Sequence, residues 1–283
     1  MNGDKPILAM LYDFDKTLCT KDMQEYKFIP DVGMDAEAFW KESNDLAVRE
    51  NMDRILAYMR TMIKHANAAE KSIRKADFVA LGSDVEYFPG VDSWFPRMNA
   101  FGETLGVAVE HYIVSSGLRE IIEGSSIYKH FTEVYACEFL YDASGVACWP
   151  KNVVNYTTKT QFLFRINKGI PDISNDADLN KYKPEDERRV PFRNMLYIGD
   201  GLTDVPCMRL VKANGGFSIA VHTDGGQGKV EELLAHDRVD YLAAADYSAD
   251  SQLDTLVRDI MRKMTVTDGL VRESMKQRNA LPK

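Results

Sequence analysis

Four short runs rich in β-branched and aromatic residues, at Ile7–Tyr12, 107–114, 195–198 and 217–221, constrain this chain more than any other feature. A weaker fifth lies at 239–243. Each run is followed by small or acidic residues and then by a helical pattern. Strands alternating with helices build a parallel sheet covered on both faces. In such sheets ligands gather outside the carboxyl ends of the strands. The residues just after each run are therefore the ones placed for chemistry.

Between the first two runs lies a stretch of a different kind. From about residue 21 to 85 there is no convincing strand, and Met52, Ile55, Leu56, Met59, Met62 and Ile63 recur at helical spacing. Phe39 and Trp40 belong to an earlier helix for which Asp35 is a plausible N-cap. This block reads as a small helical cap domain inserted into an α/β core of residues 1–20 plus 86–270, and residues 271–283 read as a polar tail. A further helix after Asp92 turns Trp94, Phe95, Met98 and Phe101 inward, with Pro96 expected in its first turn and Gly106 past its end. Ser144-Gly145 reads as a hairpin tip, and 171–193 as a solvated loop at the amino-end rim of the sheet.

Composition narrows the class. The formal net charge of −8 supplies no electrostatic footprint for a phosphate backbone, so no nucleic-acid partner is expected. The four cysteines form no C-x-x-C pair and no zinc set, and reduced thiols are expected. No stretch approaches the ~20 apolar residues of a membrane helix, and the apolar run near the start is too short for a signal segment. A cytoplasmic protein with no membrane anchor is the expectation.

Four constellations carry the chemistry. Asp13-Phe14-Asp15-Lys16-Thr17 follows the first run directly. One carboxylate there can attack phosphorus while the other handles protons on the leaving group. Such paired carboxylates also occur in turns and calcium loops, but no acidic ladder or glycine at calcium-loop spacing follows. Ser115-Ser116-Gly117 ends the second run, and a hydroxyl with free N–H groups at a helix start can seat a phosphate or simply cap the helix. Gly199-Asp200-Gly201-Leu202-Thr203-Asp204 brings two more carboxylates to a strand end, as hard oxygen ligands for Mg²⁺ or as an ordinary acidic turn. Lys159 opens a helical stretch at 160–167 and can offset the charge of a transferring phosphoryl group; Lys168, at its far end, competes for the role.

In this order and spacing the four segments resemble the haloacid dehalogenase-like hydrolase superfamily, and the helical insert resembles that of its phosphoserine phosphatase-like branch. The resemblance implies a Rossmann-like core, a small phosphorylated metabolite as substrate and Mg²⁺ as cofactor. It implies Asp13 as nucleophile and Asp15 as general acid, then base. Ser115, with Ser116 and Gly117, would bind the phosphoryl oxygens, and Lys159 would steady them. Asp13, Asp15 through its carbonyl, Asp200 and Asp204 would hold the metal, Asp204 through water or from behind. An acid at Asp15 favours phosphate esters over the family's dehalogenase and phosphonatase chemistries. A phosphotransferase or a regulatory phosphate-binding module are the alternatives. Lys16 stands where phosphoserine phosphatases usually carry serine. Asp22 and one of Arg49, Arg54 or Arg60 are the candidates for gripping a phosphoserine.

Overall fold

The computed structural model describes residues 5–223 and 225–281. Seven strands form one sheet: β1 (Ile7–Tyr12), β2 (Ala108–Leu118), β3 (Glu133–Tyr141), β4 (Ala147–Asn152), β5 (Met195–Gly199), β6 (Phe217–His222) and β7 (Tyr241–Ala244). Their order across the sheet is β4-β3-β2-β1-β5-β6-β7. All neighbours are parallel except β3 and β4, which form the hairpin expected around Gly145, whose φ is 76°. β1 and β5 are buried along nearly their whole length, as strands covered on both faces must be. The chain leaves β1 for β2 on one side and returns through β5 on the other. The carboxyl ends of β1 and β5 thus flank the switch point where such sheets place their sites.

The helices are α1 (Phe28–Asp31), α2 (Ala36–Arg49), α3 (Arg54–Ala68), α4 (Lys75–Ala80), α5 (Val91–Thr104), α6 (Arg119–Glu123), α7 (Lys159–Lys168), α8 (Asp176–Asn180), α9 (Val205–Ala213), α10 (Gln227–Ala235) and α11 (Gln252–Asn279). The first four lie in the long insertion. Asp35 caps α2 by accepting the Ala38 N–H at 2.8 Å, and Asp53 caps α3 by accepting those of Ile55 and Leu56. Met59 and Met62 of α3 are buried, and Phe39 of α2 packs edge-on against Trp40. The strands entering and leaving this insertion run side by side. Thr20 donates to the Glu86 carbonyl and Phe88 to that of Leu18, and the Tyr26 hydroxyl ties both strands.

Under the sheet a polar chain crosses the apolar core. Trp94 Nε1 donates to the Tyr12 hydroxyl at 2.9 Å, that hydroxyl reaches His111 Nδ1 at 3.0 Å, and His111 Nε2 reaches Asn99 Oδ1 at 3.0 Å. The network assigns the His111 proton to Nε2.

Three expectations need correction. α5 begins at Val91, so Pro96 sits in the second turn rather than the first. β2 runs to Leu118 instead of stopping at Val114. The polar tail expected from residue 271 is largely a continuation of α11, which runs to Asn279, and buried Asp268 just before it is held by Arg193, Asn194 and Arg272. The 171–193 segment is solvated over most of its length, as expected, and the buried Arg165 guanidinium tethers it by donating to the carbonyls of Asp172 and Ile173. Its Arg189 reaches Glu110 near the start of β2, on the amino side of the sheet. The four cysteines are free thiols. No described helix is long and apolar enough to cross a membrane.

Candidate active site

Backbone pairing carries β1 one residue beyond its end, since the Asp13 N–H donates to the Ile198 carbonyl at 3.0 Å. The chain then turns sharply. Phe14 is buried and its carbonyl accepts the N–H groups of Leu18 and Cys19, while Lys16 takes a left-handed φ of 56°. This turn leaves the Asp13 side chain almost buried, at 6% exposure, above the switch point. Its Oδ1 accepts the N–H of Phe14 at 2.8 Å and lies 3.1 Å from Lys159 Nζ.

Lys159 enters from the first residue of α7 and is wholly buried. Its ammonium also touches Asp204 Oδ1 at 2.7 Å, and that oxygen accepts the Tyr197 hydroxyl at 2.7 Å. Carboxylate oxygens of Asp13, Asp200 and Asp204 come within 4.8 Å of one another. Gly199 makes the last approach possible: a Cβ there would lie 2.5 Å from Asp204 Oδ2. Lys168 takes no part, because its ammonium at the other end of α7 binds the carbonyls of Leu179 and Lys181.

The other half of the site comes from β2. Tyr12 pairs with Ile113, so the chain just past β1 runs beside Val114 and Ser115. Ser115 is buried and its Oγ accepts the N–H of Gly117 at 3.0 Å. The hydroxyl proton is therefore left to point outward. Ser116 Oγ is buried and has no partner among the described residues. Gly117 touches the Asp13-to-Asp15 turn closely: a Cβ would sit 2.9 Å from Asp15 Oδ2 and 2.1 Å from Met23 Cε. The serine pair thus belongs to the irregular end of a strand, where the pairing with β3 shifts register between Val114 and Leu118, and not to a helix start.

Asp15 stands apart from the three-carboxylate cluster. Its Oδ1 accepts the Met23 N–H at 2.8 Å, from the first turn of the insertion. Asp22 forms an ion pair with Lys16. The three arginines considered for a substrate carboxylate do not reach the site. Arg49 pairs with Glu50, Arg54 bonds Asn44, and Arg60 shares with Arg49 a separate cleft between α2 and α3.

Electrostatics explains why this cluster favours a cation. Burial, reinforced by the Asp204 charge and opposed by Lys159, pushes the Asp13 carboxyl up to about 6. Burial together with Asp204 and Asp13 pushes Asp200 up to about 8. Asp15 is also raised, by burial and then by Asp22 and Asp13. Burial alone would lower Lys159, but the two carboxylates outweigh it and keep the ammonium protonated. One ammonium does not neutralise the cluster. An all-oxygen set of carboxylates, all but one buried, suits a hard divalent cation that retains water, and that cation would restore ionisation.

Two partners escaped the sequence reading. Tyr197 orients Asp204 from behind, and a polar-tipped aromatic in a fully buried strand was the available signal. The Met23 N–H that holds Asp15 is a backbone contact and left no signal in residue type.

A model of the family described as HAD, haloacid dehalogenase-like hydrolase, matches residues 10–209. An uncharacterized protein of Borreliella burgdorferi is 27% identical over 284 residues, covering 89% of this chain and 96% of that one. A crystal structure of a HAD family hydrolase from Salmonella enterica serovar Typhi superposes with a TM-score of 0.56 at 16% identity, covering 90% of this chain and 71% of that one. A substrate-bound phosphoserine phosphatase gives 0.52 at 13% identity, covering 86% and 93%. These two likenesses establish a shared fold. With the family match spanning most of the chain and all four motif segments, the protein belongs to the haloacid dehalogenase-like hydrolase family.

Proposed function

We propose that this chain is a Mg²⁺-dependent phosphatase of small phosphate monoesters, working through an aspartyl-phosphate on Asp13. The observation that carries the reading is the buried Lys159 ammonium in contact with both Asp13 and Asp204. A fully buried cation beside a carboxylate at a strand's carboxyl end serves charge that develops during a reaction.

Asp13 Oδ1 is held by Phe14 and Lys159, which leaves Oδ2 to attack. Oδ2 forms a bond to phosphorus as the ester P–O bond breaks, and Asp15 gives its proton to the departing alkoxide. Burial suits Asp15 to this step, since it raises the carboxyl above the usual carboxylate range and so favours the protonated form that a general acid needs. Asp15 then takes a proton from water, whose oxygen attacks phosphorus, and the bond to Asp13 breaks to release phosphate. The Ser115 hydroxyl, its oxygen committed to Gly117, donates its proton to a phosphoryl oxygen. Lys159 keeps the accumulating negative charge countered throughout. Asp13, the Asp15 carbonyl and Asp200 would hold Mg²⁺, with Asp204 supporting; when bound, the ion offsets carboxylate repulsion and polarises the phosphoryl group.

Residues 21–85 would act as a cap whose inner face selects the leaving group. The reading is tested by phosphate release from a panel of phosphomonoesters, with Mg²⁺ and with EDTA, for wild type and Asp13→Asn. Release that needs Mg²⁺ and vanishes in the variant is expected. Equal release with EDTA would remove the metal from the scheme.

A further inference from the structure

The Ser116–Gly117 peptide is gripped at both ends. Its N–H donates to Ser115 Oγ at 3.0 Å, which fixes where the serine hydroxyl can point. Its carbonyl accepts the Tyr58 hydroxyl at 2.8 Å and the Cys137 thiol at 3.3 Å. A thiol is a weak donor, so the tyrosine is the stronger of the two. Tyr58 lies on α3, inside the insertion, and its ring packs edge-on against Trp40 of α2. It is buried, and its hydroxyl reaches across 58 residues of sequence to the loop that carries the phosphate seat. The same helix makes a second contact of this kind: Asp53, its N-cap, accepts the Asn155 side-chain N–H at 3.0 Å, and Asn155 sits four residues before Lys159.

We propose that Tyr58 is a positioning residue that couples the seating of the helical insertion to the phosphate seat, by holding the Ser116 carbonyl and thereby aiming the Ser115 hydroxyl. The proposal rests on the phosphatase reading. With α3 in place the peptide is fixed and Ser115 donates toward the phosphoryl oxygens. With α3 displaced the carbonyl keeps only the thiol, and the peptide is free to rotate away from Ser115.

Tyr58→Phe tests this in the full-length protein, since the ring and its packing remain. Three quantities are read: the affinity for inorganic phosphate with Mg²⁺ by calorimetry, kcat/KM for the best ester, and the melting temperature of the free protein. Loss of one buried hydrogen bond that orients a ligand donor should weaken phosphate binding and kcat/KM by about tenfold. A drop in melting temperature with phosphate affinity and kcat/KM unchanged would overturn the inference, because it would show a packing role alone. So would no change in any of the three. Wild-type protein that neither binds inorganic phosphate nor releases it from an ester would overturn the phosphatase reading, and this inference with it, before the variant is made.

Discussion

Replacing Lys159 by methionine removes one charge from the most tightly built part of the site. The ammonium is 3.1 Å from Asp13 Oδ1 and 2.7 Å from Asp204 Oδ1, with no exposure to solvent. Methionine matches the stem in length but leaves two buried carboxylates facing each other. Breaking a buried ion pair from one side destabilises by about 3–5 kcal/mol, against a total near 5–15 kcal/mol for a domain. The loss should depend on pH. Asp13 already stands at about 6 with Lys159 present, and without it the folded-state pKa rises further. An acid whose folded pKa exceeds its unfolded value of about 3.9 opposes folding as pH rises from the unfolded pKa through the folded one. The variant should therefore lose most at about pH 8 and recover toward about pH 5, by up to ~1.4 kcal/mol per pH unit for each carboxyl that takes a proton. Urea unfolding of both proteins in EDTA at the two pH values measures this. Turnover should fall by about 10²–10³-fold, the usual effect of removing one preorganised charge partner. A loss under about 1 kcal/mol at the higher pH, or the same loss at both, would show that Lys159 does not hold these carboxylates ionised.

Gly117→Ala places a methyl 2.1 Å from Met23 Cε and 2.9 Å from Asp15 Oδ2; kcat/KM should fall at least about tenfold while the melting temperature moves by only a few degrees. Asp15→Asn should slow both phosphoryl steps by about 10²–10⁴-fold, and a burst experiment that finds either step unchanged would assign the proton to another group. His111 is buried and its pKa is lowered to about 3 by desolvation, then by His130. Its unfolded form takes a proton below about 6.5 that the folded form refuses, so it withdraws up to ~1.4 kcal/mol per unit as pH falls from there toward 3. His111→Gln should flatten that part of the stability profile, read as the difference from wild type.

The parallel sheet was legible because its central strands β1 and β5 are buried on both faces and so read as unbroken apolar runs; Ile7–Tyr12 was read to the residue. Asp13, Lys159, Asp200 and Asp204 were legible because a strand end or a helix start delivers each of them, which is local information. What escaped depends on tertiary contact. β2 continues four residues past Val114 because β3 offers Leu118 a partner at Cys137, across a shift in register that no residue type announces. The tail from residue 271 reads as polar, yet up to Asn279 it continues α11, which Arg193 and Asn194, just before β5, anchor through the buried Asp268. Arg54 and Arg60 sat at helical spacing without a sign of which face they would take; the packing of α2 on α3 turned Arg60 away from the site, and Arg54 pairs with Asn44 instead.

The covalent step is the centre of the account. Wild-type protein with Mg²⁺ is mixed with a phosphate-labelled monoester, quenched in acid within the first turnover, digested and mapped. A hydroxylamine-labile label is expected on the peptide that carries Asp13, absent from Asp13→Asn. Turnover with no label on Asp13, or turnover that survives in Asp13→Asn, would contradict the covalent step.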